Sequence, residues 1–174
     1  SIMEEYEMLA DSMLEMLGEE LKDEQKIQAH TNAGIGLFML NRHSESSSHF
    51  LAARRLYKSA NRITQSMTDF FFAQATFYLA EIAFSEFEAI DLLKEAKHDQ
   101  DKGISVDMSQ AALGLEQKCD KLYYAQAAYF RVIREGHAGW AAAAGFQIGR
   151  MYEILYLDLI ALPVPQDLDA ETRQ

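Results

Sequence analysis

Apolar residues recur every three or four positions along almost the whole of this chain, and only two of its 174 residues are proline. That spacing gathers apolar side chains on one face of an α-helix, whereas a half-buried strand alternates with period two. No convincing period-two run occurs, so the chain has helices to pack and no sheet to pair. In the first segment Ile2, Tyr6, Leu9, Met13, Met16, Leu17 and Leu21 line one face opposite Glu4, Glu5, Asp11, Glu15 and Glu19, which predicts an amphipathic helix over 2–22. A second helix is expected over 25–41 through Ala29, Ala33, Leu37 and Leu40. Asn41 to Ser44 breaks it, and the hydroxyls of Ser44 to Ser48 are candidate caps for a third helix reaching 62.

The run Ser66-Met67-Thr68-Asp69 has the form of a capping box, with Asp in place of Glu, and is expected to open a fourth helix reaching 96. Residues 97–106 are polar, contain Gly103 and have no period, so they read as a linker. Asp107 then caps a fifth helix to Glu135, and Gly136 stands where a left-handed C-cap is needed. The sixth helix covers 138–161 and stops before Pro163 and Pro165, because proline lacks the amide hydrogen and restricts the residue before it. The tail 166–174 reads as the cap and first turn of a following segment, so the chain is expected to be a piece of a longer protein. The fold class is all-α: one domain over 1–174 whose short connections favour antiparallel hairpins. Small residues (Ala73, Ala75, Ala80 and Ala83; Ala125, Ala127 and Ala128; Ala141 to Ala144, Gly145 and Gly149) are expected to let helix axes approach while aromatic rings fill the gaps.

Charge narrows the partners. The net charge is -11, and residues 1–24 carry nine acids against Lys22. Residues 42–62 run the other way, with Arg42, Arg54, Arg55, Lys58 and Arg62 against Glu45. Overall acidity argues against a nucleic-acid partner, whose phosphates a binder must neutralise. The basic stretch reads as a solvated face or a neighbour of the acidic first helix, with phosphate or acidic-peptide binding as the alternative. No transmembrane segment is expected: the charge-free stretch Gly136–Gly149 falls short of the roughly 18 apolar residues a span needs.

Internal similarity adds a family resemblance. Ile148-Gly149-Arg150-Met151-Tyr152 fits the L-G-x-x-Y pattern of a first repeat helix, Leu79-Ala80-Glu81-Ile82-Ala83 fits it partly, and Ile35-Gly36 is a weaker echo. Ala53-x-x-x-Tyr57 and Ala125-x-x-x-Tyr129 fit the A-x-x-x-F pattern of a second helix. On these motifs residues 25–162 resemble a tetratricopeptide-repeat protein. The stretch 123–156 is also similar to segments of large multi-repeat proteins of the bacterial cell envelope, some linked to gliding motility. The resemblance implies a superhelix of stacked helical hairpins that scaffolds protein complexes, with an envelope or periplasmic setting. It also implies a groove lined by the first helix of each pair: Gln74, Phe77, Glu81 and Phe84 in the fourth helix, and Phe146, Arg150 and Glu153 in the sixth. The sequence departs from the repeat where Ala80 and Ala125 stand 45 residues apart and where no proline follows Gly136.

Catalytic and metal constellations are not evident. Glu45 and His49 stand four apart, but no second carboxylate–histidine element accompanies them, as a di-metal bundle requires. Cys119 has no histidine partner in sequence, and Gly34-Ile35-Gly36 lacks the third glycine and the strand of a phosphate loop. The chain is therefore expected to be no enzyme and to hold no cofactor or metal. Its expected role is to bind a protein or peptide. The alternatives are a structural spacer or oligomerisation segment, and a helical bundle with an apolar cavity for a small molecule. Met3, Met8, Met13 and Met16 make the acidic first helix either a cap or an adaptable binding surface.

Overall fold

The computed structural model describes residues 1–93 and 108–162. Among them are six helices, α1 (Ile2–Met16), α2 (Asp23–Met39), α3 (His43–Ser59), α4 (Arg62–Glu88), α5 (Met108–Glu135) and α6 (Ala138–Ala161), and no strand. The expected linker 97–106, the Asp107 cap and the tail 166–174 lie outside the described residues.

Helix ends follow local chemistry, in places other than those the pattern suggested. Ser1 caps α1, its hydroxyl accepting from the Glu4 amide at 3.4 Å. That helix stops at Met16 rather than at 22, because Glu15, Glu19 and Glu20 oppose the negative end of the helix dipole and Gly18 is a poor helix residue. Asn41, at φ 58°, takes the left-handed conformation that turns α2 into α3. Ser44 to Ser48 do not cap α3: Ser47 and Ser48 bond back to the Ser44 carbonyl, and buried Ser46 donates across to the Gly34 carbonyl at 2.7 Å. The start of α4 is capped by Asn61, whose Oδ1 accepts from the Thr64 amide at 2.9 Å, so Ser66 to Asp69 lie inside the helix. That helix ends at Glu88, short of 96. Gly136, at φ +82°, closes α5 as expected of a left-handed cap.

Side-chain contacts give the direction of each helix. His30 meets His49 and Gly34 meets Ser46, so α2 and α3 run antiparallel. Glu86 meets Lys121 and Glu81 meets Tyr129, which makes α4 and α5 antiparallel as well. Alternate helices run the same way: Thr31 reaches Phe71 and Phe38 packs on Tyr78, then Phe77 packs on Trp140 and Glu81 meets Gln147. Helices α2, α4 and α6 therefore form a parallel row, with α2 touching α4 and α4 touching α6. Their hairpin partners α1, α3 and α5 complete the stack. Neither α1 nor α2 packs against α5 or α6, so the helices make an open stack of hairpins and enclose no common axis. Two apolar clusters hold it. Phe77, Phe84, Phe87, Leu122, Tyr129 and Met151 join α4, α5 and α6, while Phe50, Ala53 and Ala75 join α3 to α4.

The alanine runs do line a seam, since Ala80, Ala83, Ala125, Ala128 and Ala144 are buried in the cluster that joins α4, α5 and α6, but the glycines behave otherwise. A Cβ at Gly34 would stand 2.5 Å from the Phe50 ring, and one at Gly36 would stand 3.0 Å from the Tyr6 carbonyl oxygen. At Gly145 and Gly149 an added Cβ meets nothing within 4 Å. Close approach that depends on glycine thus belongs to α2, between α1 and α3, and the two α6 glycines face open space.

Candidate functional site

The row α2–α4–α6 brings aromatic rings together where its helices meet, and the central one, Tyr78, also stacks on Phe50 of α3 at 5.6 Å. These rings form a ridge. Phe38 of α2 meets Tyr78 of α4 edge-on at 5.3 Å, and Tyr78 lies 6.4 Å from Trp140 of α6. Phe70, which is 47% exposed, closes the ridge against Trp140 at 5.7 Å and His137 at 5.6 Å. The Trp140 Nε1 and His137 Nδ1 atoms are buried with no hydrogen-bond partner. Unpaired polar atoms of this kind are unusual in a folded chain, and their rings pack against the half-exposed Phe70.

Below the ridge, a polar seam ties the same helices together. The Glu81 carboxylate accepts from the Tyr129 hydroxyl at 2.6 Å and from Gln147 Nε2 at 2.7 Å. Arg150 donates to Gln147 Oε1 at 3.2 Å, approaches Glu88 at 3.8 Å, and lays its guanidinium 5.2 Å from the Phe84 ring centre. Burial, then the adjacent Glu81 carboxylate, pushes the Tyr129 phenol well above its ordinary range, so it is a fixed donor. Each polar group of the seam is oriented by another, which holds the side chains of α4 and α6 in fixed positions.

Of the residues the resemblance singled out, Glu81, Phe84 and Arg150 come together in this seam. Phe77 and Phe84 are closed into the core, at 9% and 5% exposure, and only support the face. Gln74 is half-buried on α4. Phe146 and Glu153 are exposed on α6, one turn to either side of Arg150. Gln147, Tyr129, Glu88, Phe70 and Trp140 were not anticipated. Gln147 and Glu88 each stand one helical turn or two from an anticipated residue, which is the signal that was available for them.

The stack also holds a histidine pair away from this face. His30 of α2 and His49 of α3 have their Nδ1 atoms 3.0 Å apart, so one ring donates and the other accepts. Glu45, four residues before His49, is held instead by Arg42 at 2.6 Å. No group of three or more His, Cys, Asp or Glu residues among the described residues is placed to hold a metal ion. Burial, then His49 and Arg55, hold His30 down at about 4, and burial lowers His49. A histidine whose folded pKa lies below its unfolded value binds its proton more readily when unfolded. Stability is therefore full above about pH 6.5 and falls as the pH drops toward 4. Urea midpoints between pH 7.5 and pH 4.5 are expected to decline more steeply for the wild type than for His30→Gln. Parallel declines would show that the pair carries none of the acid sensitivity.

Neither the protein-family models, nor the curated proteins, nor the solved structures give a match to this chain. No helix among the described residues is long and apolar enough to cross a membrane.

Proposed function

We propose that this chain is a non-enzymatic interaction module of tetratricopeptide-like design, which presents the α2–α4–α6 face to a peptide or protein segment. The observation that carries the reading is the ridge itself: exposed Phe70 beside the unpartnered Trp140 Nε1 and His137 Nδ1, on a backbone braced by the Glu81–Gln147–Arg150 seam. A braced face loses little conformational entropy on association, and the half-exposed Phe70 ring is an anchor for an apolar side chain of the segment. The bacterial-envelope setting belongs to the same proposal and rests on the resemblance of 123–156.

A peptide library displayed on phage, selected against the immobilised chain, tests this reading. The expected result is a family of peptides whose affinity falls tenfold or more in Phe70→Ala and Gln74→Ala while helical content is unchanged. Peptides that bind both variants as well as the wild type would place recognition elsewhere and remove the proposal.

A second reading, that the chain is an oligomerisation or spacer segment, is favoured by the outer side of α6. Phe146, Tyr156 and Ile160 are 69%, 62% and 62% exposed there, around the open positions Gly145 and Gly149. Concentration-dependent self-association that Tyr156→Lys abolishes would favour it. A monomer at all concentrations would not.

A further inference from the structure

On the opposite side of α4 from the aromatic ridge, α3 and α5 stand apart and leave a cleft of about 310 Å³. Leu79 and Ala83 of α4 form its floor, and Leu51 of α3 and Ala128 of α5 form its apolar walls. Arg54 of α3 and Arg131 of α5 also line it. Two guanidinium groups thus share a small apolar cleft in a chain whose net charge is -11.

Among the described residues, neither cation has a carboxylate at hydrogen-bond distance. The Arg54 side chain is 16% exposed, its nearest carboxylate oxygen, on Glu135, lies 3.8 Å away, and its Nε is buried with no partner. Its guanidinium rests over the Phe72 ring at 5.5 Å. Burial, opposed by Glu135 and reinforced by the nearby Arg131, weakens its hold on its proton. Arg131 is exposed, and no ion pair engages it among the described residues. Glu86 also lines the cleft, but its carboxylate is held by Lys121 at 2.5 Å. A largely buried cation whose carboxylate partner stands at 3.8 Å, next to a second cation, is an arrangement that a bound anion completes.

We propose that this cleft binds a small monocarboxylate carrying a short apolar body, the carboxylate bridging Arg54 and Arg131 and the body lying on Leu51, Leu79, Ala83 and Ala128. Arginine's planar fork suits a carboxylate, and the apolar walls require a hydrocarbon that inorganic anions lack. The volume is at the small end of ligand pockets, which favours a free acid over a polypeptide. A single charge fits better than two, since Glu135 and Glu86 border the arginines. The site is independent of the aromatic ridge, so either proposal can fail alone.

Calorimetric titration of the purified chain with octanoate tests the proposal, with octanamide, inorganic phosphate and a leucine-terminated hexapeptide as comparisons. Octanoate is expected to bind saturably and to raise the melting temperature, while octanamide and phosphate bind at least tenfold more weakly. Arg131→Gln, at an exposed position that leaves the fold intact by circular dichroism, is expected to weaken octanoate at least fivefold, and Arg54→Gln more. Equal binding of octanamide, unchanged octanoate binding in Arg131→Gln, or no saturable binding up to millimolar octanoate would each overturn it. Tighter binding of the hexapeptide would assign the carboxylate to a polypeptide terminus and equally overturn the small-acid proposal.

Discussion

Replacing Asp158 by alanine is expected to lower the unfolding free energy by about 3 kcal/mol, because it strands a buried ammonium group. Lys118 of α5 has a side chain only 2% exposed. Its Nζ donates to the Ile90 carbonyl at 2.7 Å and to Asp158 of α6, and lies 4.8 Å over the Phe87 ring. These contacts tie the interior of α5 to the C-terminal ends of α4 and α6. Without the carboxylate, the ammonium keeps one carbonyl and one ring face in an apolar setting, which does not offset its lost hydration. Lys118→Met should cost much less, about 1 kcal/mol. Methionine retains an apolar stem, and Asp158, whose side chain is 32% exposed, can hydrate. Urea unfolding of the two variants decides the matter. Equal losses would mean that the pair contributes through packing alone.

The second large effect separates glycines of opposite roles. Gly34→Ala sets a methyl group against three Phe50 ring atoms, at 2.5, 2.7 and 2.9 Å, and Phe50 is fully buried. Neither partner can retreat, since the Ser46-to-Gly34 hydrogen bond ties α3 to α2 at the same level. A loss of about 3 kcal/mol is expected, at the upper end for an overpacked core. Gly149→Ala, at an open position inside α6, should instead gain about 0.5–1 kcal/mol from helix propensity. A loss at Gly149 comparable to that at Gly34 would show that α6 is covered in solution.

Much of the fold was legible in the sequence because apolar spacing acts within one helix. The extent of α6 and the Gly136 cap were readable, since a proline stop and a left-handed glycine are local devices. The start of α4 was not: Asn61 with Thr64 caps the helix without the acidic third residue that makes a capping box conspicuous, so Ser66 to Asp69 drew attention instead. The packing role expected of Gly145 and Gly149 fails for the same reason. Whether a glycine admits a neighbour depends on the facing helix, and nothing near Gly34 in sequence names Phe50 as its opposite.

The candidate site was legible in part. Repeat spacing selected Glu81 and Arg150, which do share a seam, but spacing along one helix does not name the group across from it. Gln147 and Trp140 come from α6, and the fully buried Tyr129 holds Glu81 from α5. The Arg54–Arg131 cleft brings together residues 77 positions apart, so the basic stretch 42–62 held only half of it.

Spin labels on the exposed sides of α1 and α6, with Cys119 replaced by serine, test the open stack most directly by electron–electron resonance. Three helix-to-helix steps of about 8–10 Å each separate α1 from α6 through α2 and α4, so a single distance population centred at roughly 25 Å or beyond is expected. A population near one helix-to-helix spacing, about 10 Å between axes, would mean that the helices close around a common centre and that no open α2–α4–α6 face exists to bind a partner.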